Sequence, residues 1–264
     1  MVLDMSFFQT AKLVILIDDG KCSLFYLCSM GSVFRFKQFE VDQSACAMKI
    51  NTDGVLLGAT ERDIRPARIL DIGTGTGVVA LMLAQAFPEA VVDAVEIDET
   101  AAKRAQMNFA DSNFASRLQL FHTAFQGFCP QEKYDLIISN PPFYMNSLHA
   151  PDERKKLAKH TDTLFFEDLL HYVRTYLTSK GIFECIVPPA LANWLIDRAD
   201  ADYALHLQRI IDISSFENGE VIRRIVSLGK EEVPQRHESL YIYAEKGIHS
   251  VKYKQLLAPY FLAY

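Results

Sequence analysis

The stretch from Arg68 to Asp98 constrains this chain more than any other. An apolar run, Arg68-Ile69-Leu70, leads into Asp71-Ile72-Gly73-Thr74-Gly75-Thr76-Gly77, and Val78–Phe87 follows with helical apolar spacing. The order is strand, glycine-rich turn, helix. Glycines, having no Cβ, let the backbone of such a turn approach a ligand closely. Nineteen residues after Gly77, the run Ala90–Val95 ends in Glu96-Ile97-Asp98. A carboxylate at the end of a second strand can accept both hydroxyls of a ribose.

Strand and helix patterns then alternate over residues 68–72, 76–87, 91–96, 99–112, 118–123, 134–139, 165–178, 182–187 and 189–201. That alternation predicts an α/β protein with a doubly wound, mostly parallel sheet. Leu205–Ser214 and Val221–Leu228 read as two late strands joined at Glu217-Asn218-Gly219, a turn with hairpin chemistry, and Leu240–Tyr243 as one more short strand. Val33–Val41 alternates Phe34, Phe36 and Phe39 with Arg35, Lys37 and Gln38, which predicts a strand or hairpin arm with a basic face. No repeat, low-complexity tract or linker divides the chain. One domain is expected over residues 30–264, with an N-terminal cap at 30–66 and a C-terminal extension at 231–264. Residues 1–29 are hydrophobic without a clear period and precede Met30-Gly31. They read either as a non-native upstream start or as an N-terminal arm.

Bulk composition excludes several classes. The 264 residues are half hydrophobic and carry a net charge of −6, so any nucleic-acid contact must come from a local basic patch. No apolar stretch reaches membrane-spanning length. Cys22, Cys28, Cys46, Cys129 and Cys185 are scattered without a C-x-x-C pair, which fits reduced thiols and gives no metal-site spacing. A cytoplasmic, metal-free protein is expected, with a monomer as the default.

A second motif gives the chemistry. Asn140-Pro141-Pro142-Phe143 follows the apolar run Tyr134–Ser139, at the carboxyl end of a strand, where open α/β sheets bind ligands. The prolines fix φ and push Asn140 out of helical geometry. The Asn140 side-chain oxygen and the Pro141 carbonyl can accept both hydrogens of a planar NH2 group, while Phe143 can stack on the ring that carries it. Alone, such a string is more often simply a turn. The glycine turn also has a competing reading, because Gly75-x-Gly77-x-x-Ala80 satisfies the dinucleotide pattern. Asp71 argues against it: a carboxylate opening the turn repels a pyrophosphate but tolerates a sulfonium or an amino group. Together the two motifs resemble class I S-adenosylmethionine-dependent methyltransferases that act on amines.

A third block narrows the resemblance. Met48-Lys49-Ile50-Asn51-Thr52-Asp53-Gly54-Val55-Leu56-Leu57-Gly58-Ala59, with Phe34-x-Phe36-Lys37-Gln38-Phe39 before it and Ala158-Lys159-His160-Thr161 after the Asn-Pro-Pro-Phe loop, resembles the bacterial tRNA1(Val) adenine-37 N6-methyltransferase family over about residues 30–264. The resemblance implies a seven-stranded sheet whose seventh strand inserts antiparallel between the fifth and sixth. It implies S-adenosylmethionine as cofactor, tRNA as partner, and direct methyl transfer to a flipped adenine held by Asn140, Pro141, Pro142 and Phe143. It assigns Asp71, Gly73, Thr74, Gly75 and Gly77 to the cofactor turn, Glu96 to the ribose and Ile97 to the cofactor's adenine, although Ile97 also fits a core position. Lys49, Thr52 and Asp53 would close over the methionyl end, although Lys49 and Asp53 fit a capped short helix equally well. One departure stands out: Phe121-His122-Thr123-Ala124-Phe125 lacks the acidic residue that many relatives place after the third strand. Thr123, or the backbone of Ala124 or Phe125, would substitute. RNA contact is expected from Arg154, Lys155, Lys156, Lys159 and His160, extended by Arg35, Lys37, Arg223 and Arg224, although a charge run also fits a solvated helix face.

Two other enzymes would use the same motif, an N5-methyltransferase of a protein glutamine and a guanine-N2 methyltransferase of ribosomal RNA. A non-catalytic RNA-binding factor that keeps the fold is the rival of another class.

Overall fold

The computed structural model describes residues 16–18, 21–23, 33–44, 46, 48–142 and 152–264; the side chains of 16–18, 21–23 and 152–162 lie outside the description. Two apolar runs, β5 (Arg68–Ile72) and β8 (Tyr134–Ser139), are its centre. Ile69, Leu70, Leu136, Ile137 and Ile138 are fully buried, as expected where helices cover both faces of a parallel sheet. Around this pair stand β6 (Val91–Glu96), β7 (Leu118–His122), β9 (Leu177–Val187), β10 (His206–Phe216), β11 (Val221–Gly229), β12 (Arg236–Glu245) and β13 (Ile248–His249). The nine-stranded order is β13-β12-β10-β11-β9-β8-β5-β6-β7. Counted from β5, the seventh strand is β11, and it lies antiparallel between the fifth, β9, and the sixth, β10. The expected insertion is therefore present. Beyond β10, β12 adds in parallel, and β13 pairs back on it.

Helices α1 (Thr52–Ala59), α2 (Val78–Ala86) and α3 (Glu99–Ala110) cover one face with α6 (Val251–Leu257); α4 (Asp152–Tyr176) and α5 (Pro189–Tyr203) cover the other. Several boundaries differ from expectation: β12 is Arg236–Glu245 rather than a short strand at 240–243, and two other starts move further. Helix α4 begins at Asp152 rather than 165, because its first turns are too polar to show an apolar period. Strand β9 begins at Leu177 rather than 182: Ser179-Lys180-Gly181 looks like a turn but sits where the β8–β9 register breaks, between Tyr134 and Leu136.

Short strands β3 (Val33–Arg35) and β4 (Glu40–Asp42) form a hairpin whose Phe34, Phe36 and Phe39 are buried, with the Phe36 and Phe39 rings stacked at 4.4 Å. Further upstream, β1 (Leu16–Asp18) pairs antiparallel with β2 (Lys21–Ser23). The basic face expected on the hairpin is engaged within the molecule. Lys37 Nζ donates to the carbonyls of Ala258 (2.6 Å) and Tyr264 (2.8 Å), and Arg35 pairs with Glu40 at 3.1 Å.

Parallel register sets the site. Ile72 lies opposite both Val95 and Ser139, so the carboxyl ends of β5, β6 and β8 reach the same edge of the sheet. The glycine turn, Glu96 and Asn140 leave it together.

Candidate active site

The turn after β5 is closed by its own carboxylate. Asp71 is 1 % exposed and accepts the Thr74 hydroxyl at 2.6 Å. Burial pushes its carboxyl up to about 7, against the lowering effect of the Thr74 and Ala80 hydrogen bonds, and the nearby Glu96 charge raises it further. Gly73, Gly75 and Gly77 all have positive φ (72°, 58° and 89°), a conformation L side chains resist. At Gly77 space is short as well, since a Cβ would come within 2.5 Å of the Phe109 ring. At Gly73 and Gly75 a Cβ would meet nothing within 4 Å. There the backbone faces open space.

That space is a cavity of about 470 Å³, a size suited to a small organic ligand. Gly73 and Gly75 line it, with Glu96, Ile97 and Asp98 from the end of β6, Thr123 to Gln126 beyond β7, and Ser139 to Pro142 after β8. Phe165 of α4 completes the apolar wall. Glu96 accepts the backbone N–H of Gly75 at 2.8 Å and of Asp98 at 2.9 Å, tying the turn to the second strand. Ile97 is 71 % exposed at the rim, so it is not a core residue. The Thr123 hydroxyl donates to the Ala124 carbonyl at 3.2 Å. Ser139 donates to the carbonyl of Ile72 at 2.9 Å, which fastens β8 to β5 one residue before Asn140.

Sequence reasoning missed several neighbours. Gln126 lines the cavity with its amide nitrogen donating to Asp168 at 3.2 Å, which leaves its carbonyl end as an acceptor. Asn108 bonds Asp42 through both N–H and carbonyl, and the Thr76 carbonyl at 2.8 Å, joining hairpin, α3 and turn. Both amides contact residues remote in sequence, so no local pattern marks them. Lys49, Thr52 and Asp53 are not among the lining residues; Lys49 is exposed, and Asp53 pairs with Arg223 at 2.8 Å. Arg224 pairs with Asp212 at 2.6 Å. Phe143 lies outside the described residues, as do the side chains of Arg154, Lys155, Lys156, Lys159 and His160, whose backbone belongs to α4.

The chemistry of the wall is selective. Glu96 and Asp98 line the cavity and no Lys, Arg or His does so among the described residues. A pyrophosphate would find no counter-charge among these lining residues. A cationic ligand with ribose hydroxyls and a flat ring would find acceptors, apolar surface and a bare glycine backbone, so the residues fit S-adenosylmethionine. Among the described residues, no group of three or more His, Cys, Asp or Glu is placed to hold a metal, and no helix is long and apolar enough to cross a membrane.

Comparison with known proteins agrees with this chemistry. The model of the methyltransferase small domain matches residues 49–185. A tRNA1(Val) (adenine(37)-N6)-methyltransferase of Pedobacter heparinus is 51% identical over 89% of this chain and 100% of its own length. Proteins of the same name from Parabacteroides distasonis (40%, 87% of this chain and 97% of theirs) and Aeromonas hydrophila (38%, 88% and 98%) are also similar. The crystal structure of a predicted O-methyltransferase from Agrobacterium tumefaciens superposes with a TM-score of 0.61 at 19% identity, covering 79% of this chain and 96% of that one, which shows a shared class I methyltransferase fold. The chain therefore belongs to the methyltransferase small domain family and, within it, to the tRNA1(Val) (adenine(37)-N6)-methyltransferases.

Proposed function

We propose that this protein methylates the N6 amine of adenine 37 in tRNA1(Val), with S-adenosylmethionine as methyl donor. One observation carries the reading: Asn140-Pro141 opens onto the same acid-lined cavity as Glu96 and the bare glycine turn. The names of relatives similar along their whole length supply the nucleotide.

Gly73 and Gly75 would cradle the methionyl end, with Asp71 holding the turn behind them through Thr74; Glu96 would take the ribose hydroxyls, and Ile97 would cover the cofactor's adenine. Thr123, or the backbone of Ala124 or Phe125, meets that adenine's amine, and Gln126 adds an amide acceptor. When bound, S-adenosylmethionine supplies the methyl group: the nitrogen–carbon bond forms as the sulfur–carbon bond breaks, leaving a neutral thioether, and the surplus proton on nitrogen passes to water. The Asn140 oxygen and the Pro141 carbonyl accept the two N6 hydrogens, drawing the lone pair out of the ring and aiming it. Catalysis of this kind is positioning and electrostatics, and it needs no general base before transfer. Phe143 stacks on the flipped adenine, an interaction worth roughly 1–3 kcal/mol, and the basic run at residues 154–160 meets the RNA backbone.

The test is methyl transfer from labelled S-adenosylmethionine into tRNA from a strain lacking this protein, read as nucleosides by mass spectrometry. N6-methyladenosine should appear and vanish with Asn140→Ala, while cofactor affinity by calorimetric titration stays near normal. Label in protein glutamine or in guanine of ribosomal RNA would overturn the substrate. Cofactor binding without transfer to any RNA would favour a binding factor.

A further inference from the structure

Asn51 serves two partners at once. As N-cap of α1, its Oδ1 accepts the backbone N–H of Gly54 at 2.9 Å. The same oxygen lies 3.5 Å from Nδ2 of Asn140, 89 residues away in sequence. Gly54 also faces Asn140: a Cβ there would stand 3.4 Å from the same Nδ2, in van der Waals contact.

The cap has a consequence for Asn140. Only the oxygen of the Asn51 amide can receive an N–H, so capping fixes which end of that amide faces the helix. An Asn140 amide turned the other way would set its oxygen against the Asn51 oxygen. Its NH2 is therefore the end held by Asn51, an orientation decided by the hydrogen-bond network. Asn140 lines the cavity, and its carbonyl oxygen is the end turned away from Asn51. A planar amine brings only donors to that position; meeting an NH2 there, it would be repelled.

We propose that Asn51 is a positioning residue: by accepting from the Asn140 NH2 group it presents the Asn140 oxygen to the acceptor amine. This rests on the reading of Asn140 as the residue that holds that amine. Without Asn51 the two amide orientations compete, and only one is productive.

Two variants separate this role from simple capping. Asn51→Gly removes the acceptor at a helix cap, a position that glycine tolerates well. Asn51→Asp keeps both cap and acceptor. We expect kcat on tRNA to fall about tenfold in Asn51→Gly, the factor one lost hydrogen bond carries, and to stay within about twofold in Asn51→Asp. S-adenosylmethionine affinity and melting temperature should hardly move in either. In nitrogen-15 spectra, the Asn140 side-chain NH2 signals, assigned by their loss in Asn140→Asp, should shift or double in Asn51→Gly alone. Wild-type kcat with unchanged Asn140 signals in Asn51→Gly would overturn the proposal. So would equal losses in both variants. If Asn140→Ala stays active, the reading of Asn140 fails, and the spectra still decide whether Asn51 orients its amide.

Discussion

The buried carboxylate at the foot of the glycine turn makes stability depend on pH in a direction opposite to that of most acids. Asp71 is 1 % exposed, and burial raises its pKa from the ordinary 3.8 to about 7. An acid whose folded pKa lies above its unfolded value holds its proton more tightly in the native state. Its contribution to stability is intact below about pH 4, declines as pH rises from about 4 to about 7, and then levels. At ~1.36 kcal/mol per pK unit, the full decline is about 4 kcal/mol. Other groups titrate in the same window, so the comparison must be made against Asp71→Asn, which cannot ionise. The asparagine oxygen can still accept from Thr74 and Ala80, and any cost of its unpartnered NH2 is the same at every pH. Urea unfolding of both proteins at pH 4.5 and pH 8, without cofactor, gives the difference directly. Asp71→Asn should gain on the wild type by about 2–4 kcal/mol between those pH values. A difference that does not change with pH would mean that Asp71 titrates like an exposed carboxylate, and the account of the closed turn would fail.

Gly77→Ala combines a φ of 89° with a Cβ 2.5 Å from the Phe109 ring; a loss of about 2 kcal/mol or more is expected in urea unfolding. Arg62 and Glu184 form a pair with side chains only 2 % exposed, the guanidinium also bonding the Thr60 and Leu57 carbonyls and the carboxylate the Ser227 hydroxyl. Arg62→Ala should cost about 3–5 kcal/mol by leaving a buried charge, and adding Glu184→Leu should restore part of it. Lys37→Met should lower the melting temperature while leaving the salt dependence of tRNA affinity unchanged, because its ammonium already binds Ala258 and Tyr264. Lys155→Ala with Lys156→Ala should instead flatten that dependence, by about 0.9 log units per log unit of salt for each duplex phosphate that is no longer neutralised.

Local grammar carried the part of the fold nearest the site. Strand, glycine turn and helix at 68–86 are adjacent in sequence, and each element has its own signal: an apolar run, positive-φ glycines, and helical apolar spacing. The Glu217-Asn218-Gly219 turn was legible for the same reason, Asn218 taking a φ of 57°. The start of α4 was not legible, because apolar periodicity marks only the part of a helix that packs, and residues 152–162 are mostly polar. The placement of β11 between β9 and β10 came from family resemblance; apolar patterning says that a strand exists, not which neighbours it takes.

The roles of the charged and amide residues show where such reading ends. Arg35, Lys37, Arg223 and Arg224 look alike as cations in the sequence, yet each meets a partner that only the fold supplies: Glu40, the Ala258 and Tyr264 carbonyls, Asp53, and Asp212. Two of the four, Lys37 and Arg223, reach partners 170 or more residues away, which no local window spans. The same holds inside the site. Asn140 was legible because two prolines follow it, but Asn51 reads only as a helix cap until the fold brings the end of β8 against the start of α1. The site residues that leave a local mark are those whose backbone is constrained, the turn glycines by positive φ and Asn140 by the prolines after it. Residues that orient them leave none, because an ordinary side chain in an ordinary conformation suffices once the topology has brought it within reach.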